Sequence, residues 1–339
     1  MGIETPYELG GAGASFTGAI VAIEELARVD PSVSAFCNIH NILVSNTLRK
    51  YGTKQQRHMW LPGLATQKLG SFCLSESASG SDAFALQTRA VKEGDHWIVN
   101  GSKTYVIILI SGSYSPRVCR WITNSYEADV FLIFANTDFS KGHKGITCFV
   151  ATKDMGVQIA KKEQKLGLRA ASACTLTFEN LKIPEENIIG GVGQGYRMAI
   201  EIINEARIGI AGQMLGLAQG AFDKAVPYTH ERRQFGQPIG YFQGMQFQIA
   251  QAAIEIEAAR LLTYNAARRK EEGKNFTKEA AMAKFYSSQV AQKVAGSAIE
   301  WAGGVGFIRE TGIEKFWRDS KIVGRPLVWI AVLLKSSAQ

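Results

Sequence analysis

Residues 73–85, CLSESASGSDAFA, set small hydroxyl-bearing and glycine positions around acids, a combination that lets a backbone come very close to a flat ring or a phosphate. Ser75, Ser77, Ser79, Gly80 and Ser81 supply amides and hydroxyls with little side-chain bulk, and residues 69–74 before them have strand character. The same composition also makes an ordinary Ser/Gly surface turn, so the loop alone leaves both readings open. A second element lies far down the chain: Glu300-Trp301-Ala302-Gly303-Gly304-Val305-Gly306-Phe307, followed by Glu310, Lys315 and Asp319. Two such motifs in one chain arise together by chance far less readily than one.

The elements that must hold these residues follow from periodicity. Residues 15–28, 33–51 and 53–64 are predicted helices: Ile20, Ile23, Leu26 and Ala27 recur at helical spacing, and Asp30-Pro31 and Gly52-Thr53 mark junctions. From residue 70 to about 184 the pattern becomes short β-rich runs, such as Trp97-Ile98-Val99, Val130-Phe131-Leu132-Ile133-Phe134 and Thr175-Leu176-Thr177-Phe178, separated by Gly, Asn and Asp turns. Long helical stretches follow at 196–230, 242–272, 277–302 and 312–321. Helices, then β-structure, then helices predict an α+β fold.

Bulk properties narrow the class. With 339 residues, 46% of them hydrophobic, the chain can bury a large core in two or three domains. The net charge of +8 comes from Lys and Arg spread through the helices rather than gathered in a run, which argues against a nucleic-acid footprint and fits polyphosphate ligands better. Five cysteines (Cys37, Cys73, Cys119, Cys148, Cys174), with no CxxC pair, point to a reducing compartment and buried thiols, not to a disulfide frame or a zinc site. No signal or transit peptide is visible at the start, and the apolar run at 327–334 is far short of the roughly 20 residues that span a bilayer.

Together the two motifs resemble the signatures of the acyl-CoA dehydrogenase family. The first runs from Cys73 through Glu76, Gly80, Ser81 and Asp82 to Ala85, the second from Glu300 to Asp319. Further matches are Asn100-Gly101-Ser102-Lys103, Lys165-Leu166-Gly167-Leu168-Arg169, Asn204-Glu205-Ala206-Arg207 and Glu231-Arg232-Arg233-Gln234-Phe235-Gly236, so the resemblance covers nearly the whole chain. Met1-Gly2-Ile3-Glu4, Phe72-Cys73-Leu74-Ser75-Glu76 and the stretch 259–268 look most like the short/branched-chain members, which act on 2-methyl-branched acyl-CoA esters from isoleucine breakdown. The implied architecture is an N-terminal helical domain (1–68), a middle β-barrel-like domain (69–185) and a C-terminal helical bundle (186–339), truncated at both ends.

The reaction the resemblance implies removes the α-proton of an acyl thioester while a hydride leaves the β-carbon. It needs a base, a hydride acceptor and donors to the thioester oxygen. No protein side chain accepts a hydride, so a cofactor must, and the resemblance makes it FAD. By position, Phe72, Cys73, Leu74, Ser75, Glu76, Ser77, Ala78, Ser79, Gly80 and Ser81, with Trp121, Ile122 and Thr123, would line the flavin ring and its ribityl chain. Arg232 and Gln243 would meet the pyrophosphate or adenosine part, and Glu300, Trp301, Ala302, Gly303 and Gly304 would reach across from a neighbouring subunit, which implies a homotetramer. Ser81, His143, Tyr196, Asn204, Glu205, Ala206 and Arg207 would meet the acyl-CoA.

By residue type alone, an Arg on a long helix is usually a solvated or paired group and a lone loop His is usually solvated. Trp301 and Trp317 read more often as core or subunit-interface filler than as ring-stacking groups. Relatives tend to have Tyr where His143 stands. An electron-transfer flavoprotein would take the electrons, and the family places the protein in the mitochondrial matrix.

Two departures bear on activity. Relatives run from Gly-Ser-Lys almost directly into the Trp of Trp-Ile-Ser/Thr, whereas residues 104–119, TYVIILISGSYSPRVC, intervene here immediately before Trp121. After Arg318-Asp319-Ser320-Lys321-Ile322, relatives continue into Gly-Thr-Ile-Tyr-Glu-Gly, whose Glu is the base. This chain reads Val323-Gly324-Arg325-Pro326-Leu327, and Leu327, with no lone pair to accept a proton, stands in that position. Some relatives carry the base at the position of Ala206. Glu205 is the nearest acid, but one residue along a helix turns a side chain by about 100°. Two expectations follow: a short/branched-chain acyl-CoA dehydrogenase with impaired turnover, or a catalytically inactive flavin- and acyl-CoA-binding subunit or variant isoform.

Overall fold

A computed structural model describes residues 1–80, 82, 85–103 and 122–322. Ser81, Trp121, the intervening residues 104–119 and the tail from 323, with Leu327, lie outside the described residues. The chain divides into two compact units: Met1–Ala14, Ile39–Gln164 and Ala171–Ile203 form one, and Ser15–Asn38, Lys165–Ala170 and Asn204–Gln339 the other.

The first unit is organised by strand Val130–Asn136, VFLIFAN, whose residues are all buried. A continuous apolar run of this kind suits a strand covered on both faces. Alternation then sorts its side chains into two cores. Val130, Leu132 and Phe134 pack with Leu48, Trp60, Leu61 and Leu64 of the helices, whereas Phe131, Ile133 and Ala135 pack with Trp97, Phe149, Leu176 and Phe178 of the sheet. The sheet runs in the order Ile188–Ile189, Ile146–Thr152, Val130–Asn136, Arg89–Glu93, His96–Lys103, Leu176–Pro184, Gln158–Ile159. Gly70–Cys73 lies parallel to Val130–Asn136, with Gly70 opposite Val130 and Cys73 opposite Ile133. Its first residue must be glycine, because a Cβ there would fall 2.5 Å from Val44 Cγ1.

The helix predicted over 33–51 is three pieces: α-helical Pro31–Asn38, a π-helical segment Ile39–Ser45, and α-helical Asn46–Tyr51. Apolar spacing persists through the wider turns, so periodicity could not separate them. The π segment carries His40, fully buried, with Nε2 donating to Leu64 O at 2.9 Å and Nδ1 accepting the Gly70 amide at 3.1 Å. The next helix, Lys54–Thr66, starts on a capping box in which Thr53 and Gln56 bond each other's amides.

The second unit is helical: Phe16–Val29, Pro31–Asn38, the part of Gly195–Glu231 from residue 204, Gln243–Glu271, Thr277–Ala302 and Ile313–Ser320. Its core joins Met214, Leu215 and Leu217 to small residues such as Ala221, Ala252, Ala259, Ala291, Ala295 and Ala298, which let helix backbones approach closely. A buried Glu24 ties helix Phe16–Val29 to helix Gln243–Glu271, accepting from Arg260 Nε at 3.3 Å and from Tyr264 Oη at 2.5 Å. Segment Lys165–Ala170 docks on helix Ile313–Ser320: the Leu168 amide donates to buried Asp319 at 2.6 Å, and Arg318 donates to Leu166 O at 3.0 Å. The α+β arrangement of helices, sheet and helices expected from the pattern is present, and the long C-terminal helices fall within a residue or two of their predicted ends. Among the described residues no helix is long and apolar enough to cross a membrane, and no cluster of His, Cys, Asp or Glu could hold a metal ion.

Burial pushes His40 down to about 4 against the bond to Leu64 O, so its neutral form belongs to the fold. The folded value lies below the unfolded one, so His40's contribution is complete above about pH 6.5 and is lost as the pH falls toward 4, by about 3 kcal/mol over that range. Urea unfolding at a series of pH values is expected to show this slope in the native chain and to lose that part of it in His40→Gln, which does not titrate. An unchanged slope in the variant would assign it to other groups.

Candidate functional site

The loop after strand Gly70–Cys73 is built around one buried carboxylate. Glu76 Oε2 accepts the Gln87 amide at 2.6 Å, and Oε1 accepts the Thr88 amide at 3.1 Å and Lys103 Nζ at 2.6 Å. Lys103, fully buried at the end of strand His96–Lys103, also donates to Leu74 O at 3.1 Å. Its approach depends on a bulge between Val99 and Gly101, where Gly101 has φ +147° and a Cβ would sit 2.7 Å from Thr88 Cα. Burial opposes charge on Glu76, but Lys103 and the amide donors outweigh it and hold the carboxyl below the ordinary carboxylate value. The turn itself closes on Glu76 and Ser79, whose amides each donate to the other's carbonyl, while Ser79 Oγ donates to Asp82 O at 2.8 Å.

This arrangement divides the loop into two sides. Cys73, Leu74, Glu76 and Ser79 are buried, Phe72 is half-buried with its ring 4.9 Å from Phe134, and Ser77 and Ala78 are exposed with Ser75 and Gly80 partly so. A Cβ added at Gly80 would meet nothing within 4 Å among the described residues. Ser71 Oγ donates to Thr123 O at 2.7 Å, which brings the pair Ile122–Thr123 beside the same strand. A turn whose exposed residues are small leaves room for a flat ring system to come close to it. Phe72 to Gly80 and Ile122–Thr123 are thus brought together in one unit.

A second place in that unit is an open pocket of about 550 Å³ lined by Asp138, Lys141, His143, Lys144, Tyr196 and Arg197, among others. The His143 and Tyr196 rings stand 4.6 Å apart. The Ser140 hydroxyl and Lys141 hold Asp138 down to about 2, so its charge is committed to its own loop. Lys144 and Arg197 add positive charge to the lining, with Arg197 also paired to Glu201 at 3.0 Å, and cations there suit a phosphate-bearing ligand.

In the helical unit, Asn204 to Arg207 occupy adjoining positions of helix Gly195–Glu231, where Arg207 Nη1 donates to Asn204 Oδ1 at 2.7 Å. Burial lowers Arg207 to about 10, and burial together with the charge of Arg207 lowers Lys284 to about 7. Glu205 is 1% exposed and lies 3.9 Å from Lys270 Nζ, so this acid is turned into its own unit beside a cation. Ala206, between them, is half-buried and has no titratable group.

The remaining positions sit elsewhere in that unit. Arg232 and Gln243 are exposed on either side of the small hairpin formed by Arg233–Gln234 and Gln237–Pro238. At the end of helix Thr277–Ala302, Glu300, Gly303 and Gly304 are exposed and Gly303 breaks the helix at φ +60°. Trp301 and Ala302 point inward: Trp301 is 3% exposed, donates to Gln248 Oε1 at 3.1 Å and meets Phe222 edge-on. Trp301 is core, and Trp317 lies partly exposed with Lys321 Nζ 4.5 Å over its ring. Lys103 was not singled out beyond its motif, although it shares the period-two phase of buried Trp97 and Val99, and a lysine in phase with an apolar face was the available signal.

Residues 1–68, 119–181 and 193–324 match, respectively, the N-terminal, middle and C-terminal domains of acyl-CoA dehydrogenase. The chain belongs to the acyl-CoA dehydrogenase family, an oxidoreductase family. It is 51% identical over 323 residues to the mitochondrial short/branched chain specific acyl-CoA dehydrogenase of Rattus norvegicus, covering 95% of this chain and 71% of that one. It is 52% identical to the probable short/branched chain specific enzyme of Dictyostelium discoideum, covering 95% and 75%. Butyryl-CoA dehydrogenase from Megasphaera elsdenii superposes with a TM-score of 0.92 at 36% identity, covering all of this chain and 87% of that structure.

The thiol of Cys73, in the loop, is pushed up to about 12 by burial, and Cys37, Cys148 and Cys174 are buried as well. A disulfide reagent such as DTNB is therefore expected to leave these thiols untouched in the native protein and to titrate them in guanidinium. Rapid labelling of Cys73 in the folded protein, read by peptide mapping, would contradict the buried placement.

Proposed function

We propose that this chain is an FAD-dependent dehydrogenase of short/branched-chain acyl-CoA thioesters of the 2-methylbutyryl type, with impaired turnover. The observation that carries the substrate class is the gradient of identity: 51–52% to short/branched-chain relatives against 40% to the short-chain enzyme of Mus musculus. The flavin ring is assigned to the outer side of Phe72 to Ser81, with Trp121, Ile122 and Thr123. Arg232 and Gln243 are assigned to the rest of the cofactor, and the exposed Glu300, Gly303 and Gly304 to the cofactor of a neighbouring subunit of a homotetramer, with Trp301 and Ala302 packed behind them. Bound there, FAD supplies the acceptor for the hydride that leaves the β-carbon.

The chain's own residues do the rest. His143 and Tyr196, with the cations of their pocket, hold the CoA end, and Asn204 and Arg207 orient the thioester portion. The partly buried Arg207 guanidinium, even with its lowered value near 10, stays charged at neutral pH. The flavin-to-acceptor step is assigned to an electron-transfer flavoprotein and the location to the mitochondrial matrix, in keeping with the mitochondrial naming of the rat relative.

The weak step is proton removal. Leu327 occupies the base position of the family motif, and Glu205 is buried beside Lys270. This favours a second reading, a flavin- and acyl-CoA-binding subunit without turnover. Anaerobic addition of 2-methylbutyryl-CoA to the FAD-loaded protein decides between them. The first reading expects bleaching slower than in a Glu-bearing relative by about 10²- to 10⁴-fold, the usual worth of a positioned base. A protein that stays yellow supports the second, and prompt bleaching would show that Leu327 does not limit the reaction. In either case His143→Ala and Tyr196→Ala are expected to weaken acyl-CoA binding, read by the perturbation of the flavin spectrum, while FAD content stays unchanged.

A further inference from the structure

Glu76 and Lys103 use their charges on each other and on the backbone, with side chains 4% and 0% exposed. One carboxylate joins three separate stretches: the 75–80 turn, the Gln87 and Thr88 amides leading into strand Arg89–Glu93, and the end of strand His96–Lys103. Lys103 adds the fourth tie, to Leu74 O on the near side of the turn. We propose that this pair is a positioning device that builds the turn before any cofactor arrives, and that Glu76 does not itself touch the flavin. The proposal rests on the reading of the outer side of the turn as part of the flavin site.

The physical reason lies in what the turn presents. Ser77 and Ala78 are exposed and small, with Gly80 beside them, so apart from Glu76 the turn has no large side chain of its own to fix it. Its shape comes from the mutual Glu76 and Ser79 amide bonds and from the buried carboxylate beneath. Removing one charge leaves the other buried and unpaired, a far worse state than removing both. The turn then loosens on the side where a ring would lie, whichever partner is lost.

The test uses the full chain as apoprotein, titrated with FAD, in four forms: native, Glu76→Gln, Lys103→Met and the double variant. Each single variant is expected to raise the FAD Kd by about tenfold or more and to change the induced circular dichroism of the bound flavin, with cooperative thermal unfolding retained. The double variant is expected to bind more tightly than the two single effects multiplied together. Variants that bind FAD within twofold of native overturn the proposal. So does a loss confined to Glu76→Gln, which would mean that Glu76 contacts the flavin directly.

Hydrogen exchange on the native apoprotein covers the case in which a variant does not fold. The Ser79, Gln87 and Thr88 amides are expected to be protected without FAD, and protection that appears only on adding FAD overturns the proposal. A native chain that takes up no FAD while those amides are protected would sink the flavin reading and leave the preformed turn standing.

Discussion

Burial of strand Val130–Asn136 on both faces is the constraint from which the sheet unit follows. Each of its large apolar side chains contributes roughly 1.5–3 kcal/mol on burial, against about 1 kcal/mol for a typical hydrogen bond in the adjoining loop. The strand therefore decides where the loop begins and the loop's own bonds decide only its shape. Parallel pairing with Gly70–Cys73 carries this over directly, since a slip of one residue would turn Cys73 and its neighbours to the wrong core. The close approach of Val44 to Gly70 and the His40 bond to the Gly70 amide hold the same point from the helical side of that unit.

Each unit also contains a buried carboxylate that gathers distant segments, such as Glu76 in the first and Glu24 in the second. Isolated, such a group costs several kcal/mol to bury, and only several well-aimed donors offset that cost. Glu76 has two amides and Lys103; Glu24 has Arg260 and Tyr264. Asp319 repeats the pattern on a smaller scale, accepting the Leu168 amide and Lys315. Glu76 and Asp319, both residues of the family motifs, are thus structural joints.

Element types and their order were legible because they depend on spacing within one segment. The helices at 196–230, 242–272 and 277–302 and the run at 130–134 needed only period and composition. The π-helical stretch Ile39–Ser45 was not legible, because a widened turn leaves apolar spacing nearly intact. The grouping of Phe16–Val29 with the later helices, rather than with Lys54–Thr66, was likewise invisible, since it depends on contacts made some 200 residues away, such as Glu24 with Arg260.

For the site, the sequence alone determined which residue types are present and their family motifs. Those are properties of single positions. Only the tertiary structure decided direction: Glu76, Ser79 and Trp301 face inward, while Ser77, Ala78, Gly303 and Gly304 face out. Direction depends on what lies on each side of the backbone, and for Glu76 that is Lys103, 27 residues further on, brought near by the pairing of strands and a bulge at Gly101. A motif names the groups available for chemistry, and the packing around them determines which of those groups a ligand can meet.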